Sequence, residues 1–234
     1  MKPIGFSKYT FARSKPKSRV YETRIPKPKE NKLESRQLSN LRSKRNLKRL
    51  INSNTEIYQK KNGELFPPVF LTLTFAENIT NVQQANKEYT NFLKRLNYWV
   101  WKIKKNKLKY AGVIEFQKRG AVHYHVVFFN LKFIDKKDIA EIWSNGFIKI
   151  NETKDISDLG SYVCKYMSKN FNDSRLCGKK TYFTSRGLSK PIELMEKNAV
   201  EAMLEYLKNF KSVFEKDYDS EFIGKFKYSI FHLP

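Results

Sequence analysis

The chain has 234 residues, 40% of them hydrophobic, with 46 Lys+Arg against 23 Asp+Glu for a formal net charge of +23. That length fits one domain with extensions or two small ones, and the positive excess points to a polyanionic partner, nucleic acid before an anionic membrane. The two cysteines, Cys164 and Cys177, have no CxxC spacing, which excludes a disulfide framework or cysteine-rich zinc site. No apolar run approaches the ~18 residues of a membrane span, and no signal-peptide segment opens the chain.

Charge is concentrated at the start. Residues 1–61 carry 18 Lys+Arg and 4 Asp+Glu, a net of +14. Residues 1–30 mix Pro3, Pro16, Pro26 and Pro28 with Lys and Arg without hydrophobic period, so they read as a flexible arm that neutralises phosphates. Leu33, Leu38, Leu41, Leu47, Leu50 and Ile51 predict a helix within 31–60, and Lys44, Arg45, Lys48 and Arg49 on it are candidate DNA-binding residues. Pro67-Pro68 closes this region.

From Val69 the texture is that of a packed core. Val69–Phe75 alternates as a strand, with Leu71, Leu73 and Phe75 on one face and Phe70, Thr72 and Thr74 on the other. Apolar residues from Val82 to Ile103 recur at three- and four-residue steps, as in an amphipathic helix. Tyr110–Gln117 and Val122–Asn130 read as strands joined around Lys118-Arg119-Gly120. Asp135 opens a predicted helix through Trp143, stopped at Gly146, and Phe147–Ile150 is a short strand. Asp155 is the candidate cap of the next helix, Lys180–Thr184 a last core strand, and Pro191 the start of a helix to about Phe210. A strand is expected after Phe222. The order predicts an α+β fold, an antiparallel sheet with helices on one face.

Two segments carry chemistry. In a strand, residues two apart share a face, so His123 and His125 point one way and Tyr124 the other. Two imidazoles ~7 Å apart can converge on a divalent ion, with a third ligand from the neighbouring strand. A three-residue loop Lys118-Arg119-Gly120 places Glu115 opposite His123, and a loop shifted by one residue places it opposite His125. In either register Glu115 lies on the histidine face, and the His/His/carboxylate set suits Mg²⁺ or Mn²⁺.

The second segment is Tyr162 to Lys169. On a helix Tyr162, Lys165, Tyr166 and Lys169 fall within a stripe about 100° wide, beside an apolar stripe of Ile156, Leu159, Val163 and Met167. A phenol with pKa ~10 is a poor nucleophile at neutral pH, and it needs nearby positive charge and an activated electrophile.

With these residues the chain resembles the HUH endonucleases, specifically the two-tyrosine rolling-circle replication initiators (Rep) of phages and plasmids. Phe70-Leu71-Thr72-Leu73-Thr74-Phe75 looks like the family's first motif, His123-Tyr124-His125 like its metal motif, and Tyr162 to Lys169 like its tyrosine motif with Y-x-x-K twice. Thr184 to Pro191, including Arg186 and Lys190, is similar to a further segment of such initiators. The resemblance covers roughly 69–191. It implies a five-stranded antiparallel HUH core of ferredoxin-like type at 67–191, preceded by a basic arm at 1–66 and followed by a helical extension at 192–234.

It further implies an enzyme that nicks and rejoins single-stranded or hairpin origin DNA. Tyr162 and Tyr166 would be the nucleophiles, Lys165 and Lys169 their support, and Glu115, His123 and His125 the metal ligands. Arg119, Arg186 and Lys190 would touch DNA. The implied partners are a host helicase and DNA polymerase, because no G-x-x-x-x-G-K-[ST] loop marks an attached motor, and the setting is the cytoplasm of a host microbial cell. Two rival readings are a non-catalytic basic nucleic-acid-binding protein, with aromatics such as Trp101 stacking on bases, and a tyrosine HUH transposase.

Overall fold

The computed structural model describes residues 8–13, 32–132, 134–151, 153, 156, 158–169, 173–176, 180–192, 194, 196–220 and 224–232. Its elements in chain order are β1 (Lys8–Arg13), α1 (Lys32–Asn52), β2 (Val69–Thr74), α2 (Val82–Trp101), β3 (Tyr110–Phe116), β4 (Val122–Phe128), α3 (Lys136–Trp143) and β5 (Ile148–Asn151). They continue with α4 (Leu159–Ser168), a 3₁₀ turn at Ser174–Leu176, β6 (Phe183–Thr184), α5 (Lys197–Leu207), β7 (Ser212–Ser220) and β8 (Gly224–His232). Two compact units result: Lys32–Pro191, and Met1–Asn31 with Ile192–Pro234.

The larger unit is built on a five-stranded sheet in the order β5-β2-β4-β3-β6, every pairing antiparallel. Because successive side chains alternate, β2 and β4 feed two separate cores. Leu71, Leu73, Tyr124, Val126 and Phe128 pack beneath α2 and α3 with Phe92, Leu96, Ile139 and Trp143. Phe70, Val127, Ala111 and Val113 pack on the opposite face with Leu47 and Ile51 of α1 and Leu159, Val163 and Met167 of α4. The expectation of helices on one face is therefore corrected: helices cover both. The cause is legible in β4, whose run Val126-Val127-Phe128-Phe129 is buried on both sides.

Other boundaries also move. α1 packs in the sheet unit, on the face shared with α4, so it is not part of the arm. α2 ends at Trp101 because Lys102 turns left-handed (φ 54°) and its N–H bonds the Tyr98 carbonyl. The cap of α4 is Asp158, which accepts the Ser161 N–H; Asp155 lies outside the described residues. α5 begins at Lys197, six residues after Pro191.

The smaller unit holds a three-stranded sheet ordered β1-β8-β7. The region expected as a helical extension thus forms α5 and a β7–β8 hairpin, and β8 supplies the strand expected after Phe222. β1, within the expected flexible arm, pairs along β8 from Lys8↔His232 to Arg13↔Lys227; the rest of 1–30 lies outside the described residues. Among the described residues no helix is long and apolar enough to cross a membrane.

Candidate functional site

The β3–β4 turn sets the register on which the site depends. Gln117 N–H bonds the Ala121 carbonyl at 2.9 Å and Gly120 N–H bonds the Gln117 carbonyl at 2.8 Å. Gly120 sits at φ 89°, a conformation easily reached only without a Cβ. The loop is therefore Lys118-Arg119-Gly120, and of the two open registers the structure holds Glu115 opposite His123. On the other side of β4, β2 sets Thr72 opposite His125 and Thr74 opposite His123. Cross-strand partners share a face, so Glu115, both histidines, both threonines and Phe70 all point toward α1 and α4. Tyr124 points the other way, stacked on Tyr89 at 4.5 Å and bonded through its hydroxyl to Asn86.

Glu115 is the hub. Its Oε2 lies 2.5 Å from His125 Nε2 and its Oε1 accepts from Lys169 Nζ at 2.6 Å. Burial works to raise this carboxyl, but the bonds from His125 and Lys169 outweigh it and hold it at about 2. An ionised carboxylate only accepts, so the His125 proton is on Nε2 and Nδ1 takes the Thr72 hydroxyl, 3.1 Å away. Burial lowers the His125 pKa against the pull of Glu115. His123 is brought to about 4, first by burial and then by the neighbouring His125. Its Nε2 is buried without a hydrogen-bond partner.

Among the described residues no group of three His, Cys, Asp or Glu side chains is assembled as a metal shell. The expected trio falls short because Glu115 is turned onto His125 and Lys169. The donor chemistry nevertheless fits a divalent cation: an orphaned, neutral His123 Nε2, a second imidazole on the same face, and an ionised carboxylate between them.

The tyrosines are delivered by α4, and α1 fixes where α4 sits. Asp158 joins the two helices: it caps α4, pairs with Lys48 Nζ at 2.8 Å and accepts from Asn52 at 3.0 Å. Gly160 lies so close to α1 that a Cβ there would meet the Lys48 carbonyl and the Asn52 amide oxygen; its own N–H bonds that oxygen at 2.9 Å. Tyr166 stacks on His125 with ring centroids 3.8 Å apart, and its hydroxyl lies 3.4 Å from that of Tyr162. Phe70 supports both phenols, at 5.4 Å and 5.8 Å. Lys165 and Lys169 lie over the Tyr162 and Tyr166 rings, at 5.7 Å and 5.2 Å. Burial raises the Tyr166 pKa, and the bond to Tyr162 raises it further.

The expected site residues divide into groups. Glu115, His125, Tyr162, Tyr166 and Lys169 form one connected cluster, with His123 at its edge, 6.2 Å from His125 by ring centroids. Arg119 sits at the turn below and bonds the Phe75 and Ala76 carbonyls. Lys48 is engaged by Asp158, while Lys44 and Arg49 are half-buried and Arg45 is exposed on α1. Arg186 and Lys190 lie at the other end of β3, where Lys109 Nζ bonds the Arg186 carbonyl at 2.7 Å.

Sequence reasoning did not assign roles to Thr72, Gly160 or Arg175. The Arg175 guanidinium stacks on Phe116 at 3.5 Å and bonds the Gly120 carbonyl at 2.8 Å, pinning the turn. Only Thr72 had a visible signal, being on the polar face of an otherwise apolar strand.

An antiparallel α+β sheet carrying histidines, a carboxylate and paired tyrosines on one face defines the class of protein. Residues 68–171 match the family described as replication-associated protein, the ORF2 type, and β2 through α4, which hold the whole cluster, belong to that family. This agrees with the motif resemblance to rolling-circle initiators. No curated protein and no solved structure gives a match.

Proposed function

We propose that the protein initiates replication by nicking single-stranded or hairpin origin DNA through Tyr162 or Tyr166, and later rejoins the strand. The observation that carries this reading is the cluster in which Tyr166 stacks on His125 while Lys169 reaches Glu115. A buried structural pair would not need a carboxylate, two imidazoles, two phenols and a lysine on one face.

In the nicking step a phenol oxygen bonds to the scissile phosphorus and the bond to the 3′ oxygen breaks. The phenol proton is lost and the leaving oxygen gains one, giving a 5′-phosphotyrosine and a 3′-OH that primes synthesis. The second tyrosine can attack the regenerated junction, so the released 3′-OH closes the first product. Burial works against ionising Tyr166, so activation falls on positive charge brought to the phosphate. Lys165 and Lys169 supply part of it. Glu115, His123 and His125 would hold Mg²⁺ or Mn²⁺, which when bound polarises the phosphate. A host helicase and polymerase would complete replication in the cytoplasm.

The test is to incubate the protein with labelled origin single strand and Mn²⁺ and map any adduct by mass spectrometry. A phosphotyrosine at 162 or 166, abolished by His123→Ala/His125→Ala, is expected. Adduct formation that survives the double variant would overturn the assignment.

A further inference from the structure

The end of the sheet remote from the tyrosines carries a second charged surface. From Tyr98 to Tyr110 the chain reads YWVWKIKKNKLKY, with five lysines and no carboxylate. Its backbone is held from inside the protein. The buried Asn97 amide donates to the Ile103 and Lys105 carbonyls at 2.9 and 3.1 Å and accepts the Lys107 N–H at 2.8 Å. Asn130, also buried, donates to the Lys107 carbonyl and accepts the Lys109 N–H. Buried amides that satisfy backbone groups fix a loop in one conformation. What this loop presents outward is charge: Lys102, Lys104, Lys105 and Lys107 are exposed, as is Lys132 beside them. None of these lysines pairs with a carboxylate among the described residues.

Aromatic rings stand among the charges. Tyr98 is 56% and Trp99 38% exposed. Lys102 lies over Trp99 at 5.3 Å, and Lys132 and Lys107 lie over Trp101 at 4.7 and 5.4 Å. Lysines alone would suit the backbone of duplex or single strand. Exposed rings beside them serve only unpaired bases, since those of a duplex are already stacked on each other.

We infer that the Tyr98–Lys107 loop with Lys132 is a second DNA-binding surface, which takes single strand flanking the cleavage point by stacking on Trp99 and Tyr98 and by phosphate contacts from the lysines. It rests on the reading of the protein as a DNA nickase. Glu115 lies five residues beyond Tyr110 on β3, so the surface is about 17 Å from the site along the strand. It contacts DNA outside the reacting nucleotides and reads no sequence, because lysines and ring faces carry no base code.

The test measures binding by fluorescence anisotropy, with full-length protein in EDTA and a labelled single strand of about 30 nucleotides. No chemistry is needed, so a protein that forms no tyrosine adduct can still pass or fail. Lys102→Ala/Lys104→Ala/Lys105→Ala should bind at least about tenfold more weakly at low salt, with a salt slope shallower by about 2. Trp99→Ala should weaken binding between about fivefold and a hundredfold with the slope unchanged, and Tyr98→Ala repeats this test at a more exposed position. Thermal melts check that each variant is folded. A control that removes three exposed lysines elsewhere, Lys61→Ala/Lys87→Ala/Lys137→Ala, should cost much less. Equal losses in the control and patch variants, unchanged binding in the patch variant, or no effect of either ring variant overturns the inference.

Discussion

The phenol ring of Tyr166 lies face to face on the imidazole of His125, with centroids 3.8 Å apart and planes 21° from parallel. This contact joins α4 to the central strand and sets one tyrosine over the histidine face. The second tyrosine follows one turn away, its hydroxyl 3.4 Å from the first. Two phenols so placed can serve one phosphate site in succession, and each can be removed alone. Tyr162→Phe and Tyr166→Phe should each still form a DNA adduct through the remaining phenol, at reduced rate, and the double variant should form none. Tyr166→Phe keeps the ring on His125 and should cost under about 1 kcal/mol in urea unfolding. Tyr166→Ala removes the ring and should cost about 2 kcal/mol or more. Adduct mapping of the single variants decides whether both phenols react.

Gly160 makes a prediction about position. Its Cα is packed against the Lys48 carbonyl and Asn52 of α1, leaving no room for a methyl group between the helices. Gly160→Ala should push α4 away from α1 and carry both tyrosines off the histidine face. A destabilisation of about 1–3 kcal/mol is expected from overpacking, with loss of adduct formation greater than unfolding explains. Alanine normally favours a helix over glycine, so a stabilised variant would mean that α1 does not set the position of α4.

Much of this arrangement was readable from residue order. Alternation in Val69–Phe75 assigned Phe70 and Thr72 to one face, and the left-handed preference of Gly120 limited the turn to registers that keep Glu115 with the histidines. The helical stripe from Tyr162 to Lys169 needed only a period of 3.6 residues. The second helical layer was not readable, because two-sided burial of β4 shows as a continuous apolar run without saying what covers each side. The contacts of Gly160, Asp158 and Arg175 join residues from 55 to 112 positions apart, and no local pattern announces such pairings. The β1–β8 pairing was hidden for the same reason.

The site should leave a signature in the pH dependence of stability. His123 titrates at about 4 in the folded protein against an ordinary 6.5. The unfolded chain therefore binds the extra proton first, and stability should fall as pH drops from about 6.5 to about 4. Glu115 acts in a lower window. Its folded value of about 2 lies below its ordinary 4.5, so its contribution is complete above about 4.5 and is lost as pH falls toward 2. Urea midpoints across this range should show both limbs. His123→Ala should flatten the upper limb and Glu115→Gln the lower, and an upper limb unchanged in His123→Ala would refute the first assignment.

The last prediction concerns Thr72, which touches neither tyrosine. Its hydroxyl meets His125 Nδ1 at 3.1 Å while Nε2 bonds Glu115. A hydroxyl can donate or accept, so Thr72 can give its proton to Nδ1 now and accept one from Nδ1–H when the Nε2 lone pair is needed for a cation. Valine has nearly the same shape and can do neither. Thr72→Val should therefore cost only about 1 kcal/mol of stability but weaken Mn²⁺ binding by about 10- to 100-fold, measured by titration calorimetry without DNA. Thr72→Ser restores the hydroxyl and should recover most of the affinity. Equal Mn²⁺ affinity in the wild-type and valine proteins would reduce Thr72 to a packing residue and leave the His125 tautomer to Glu115 alone.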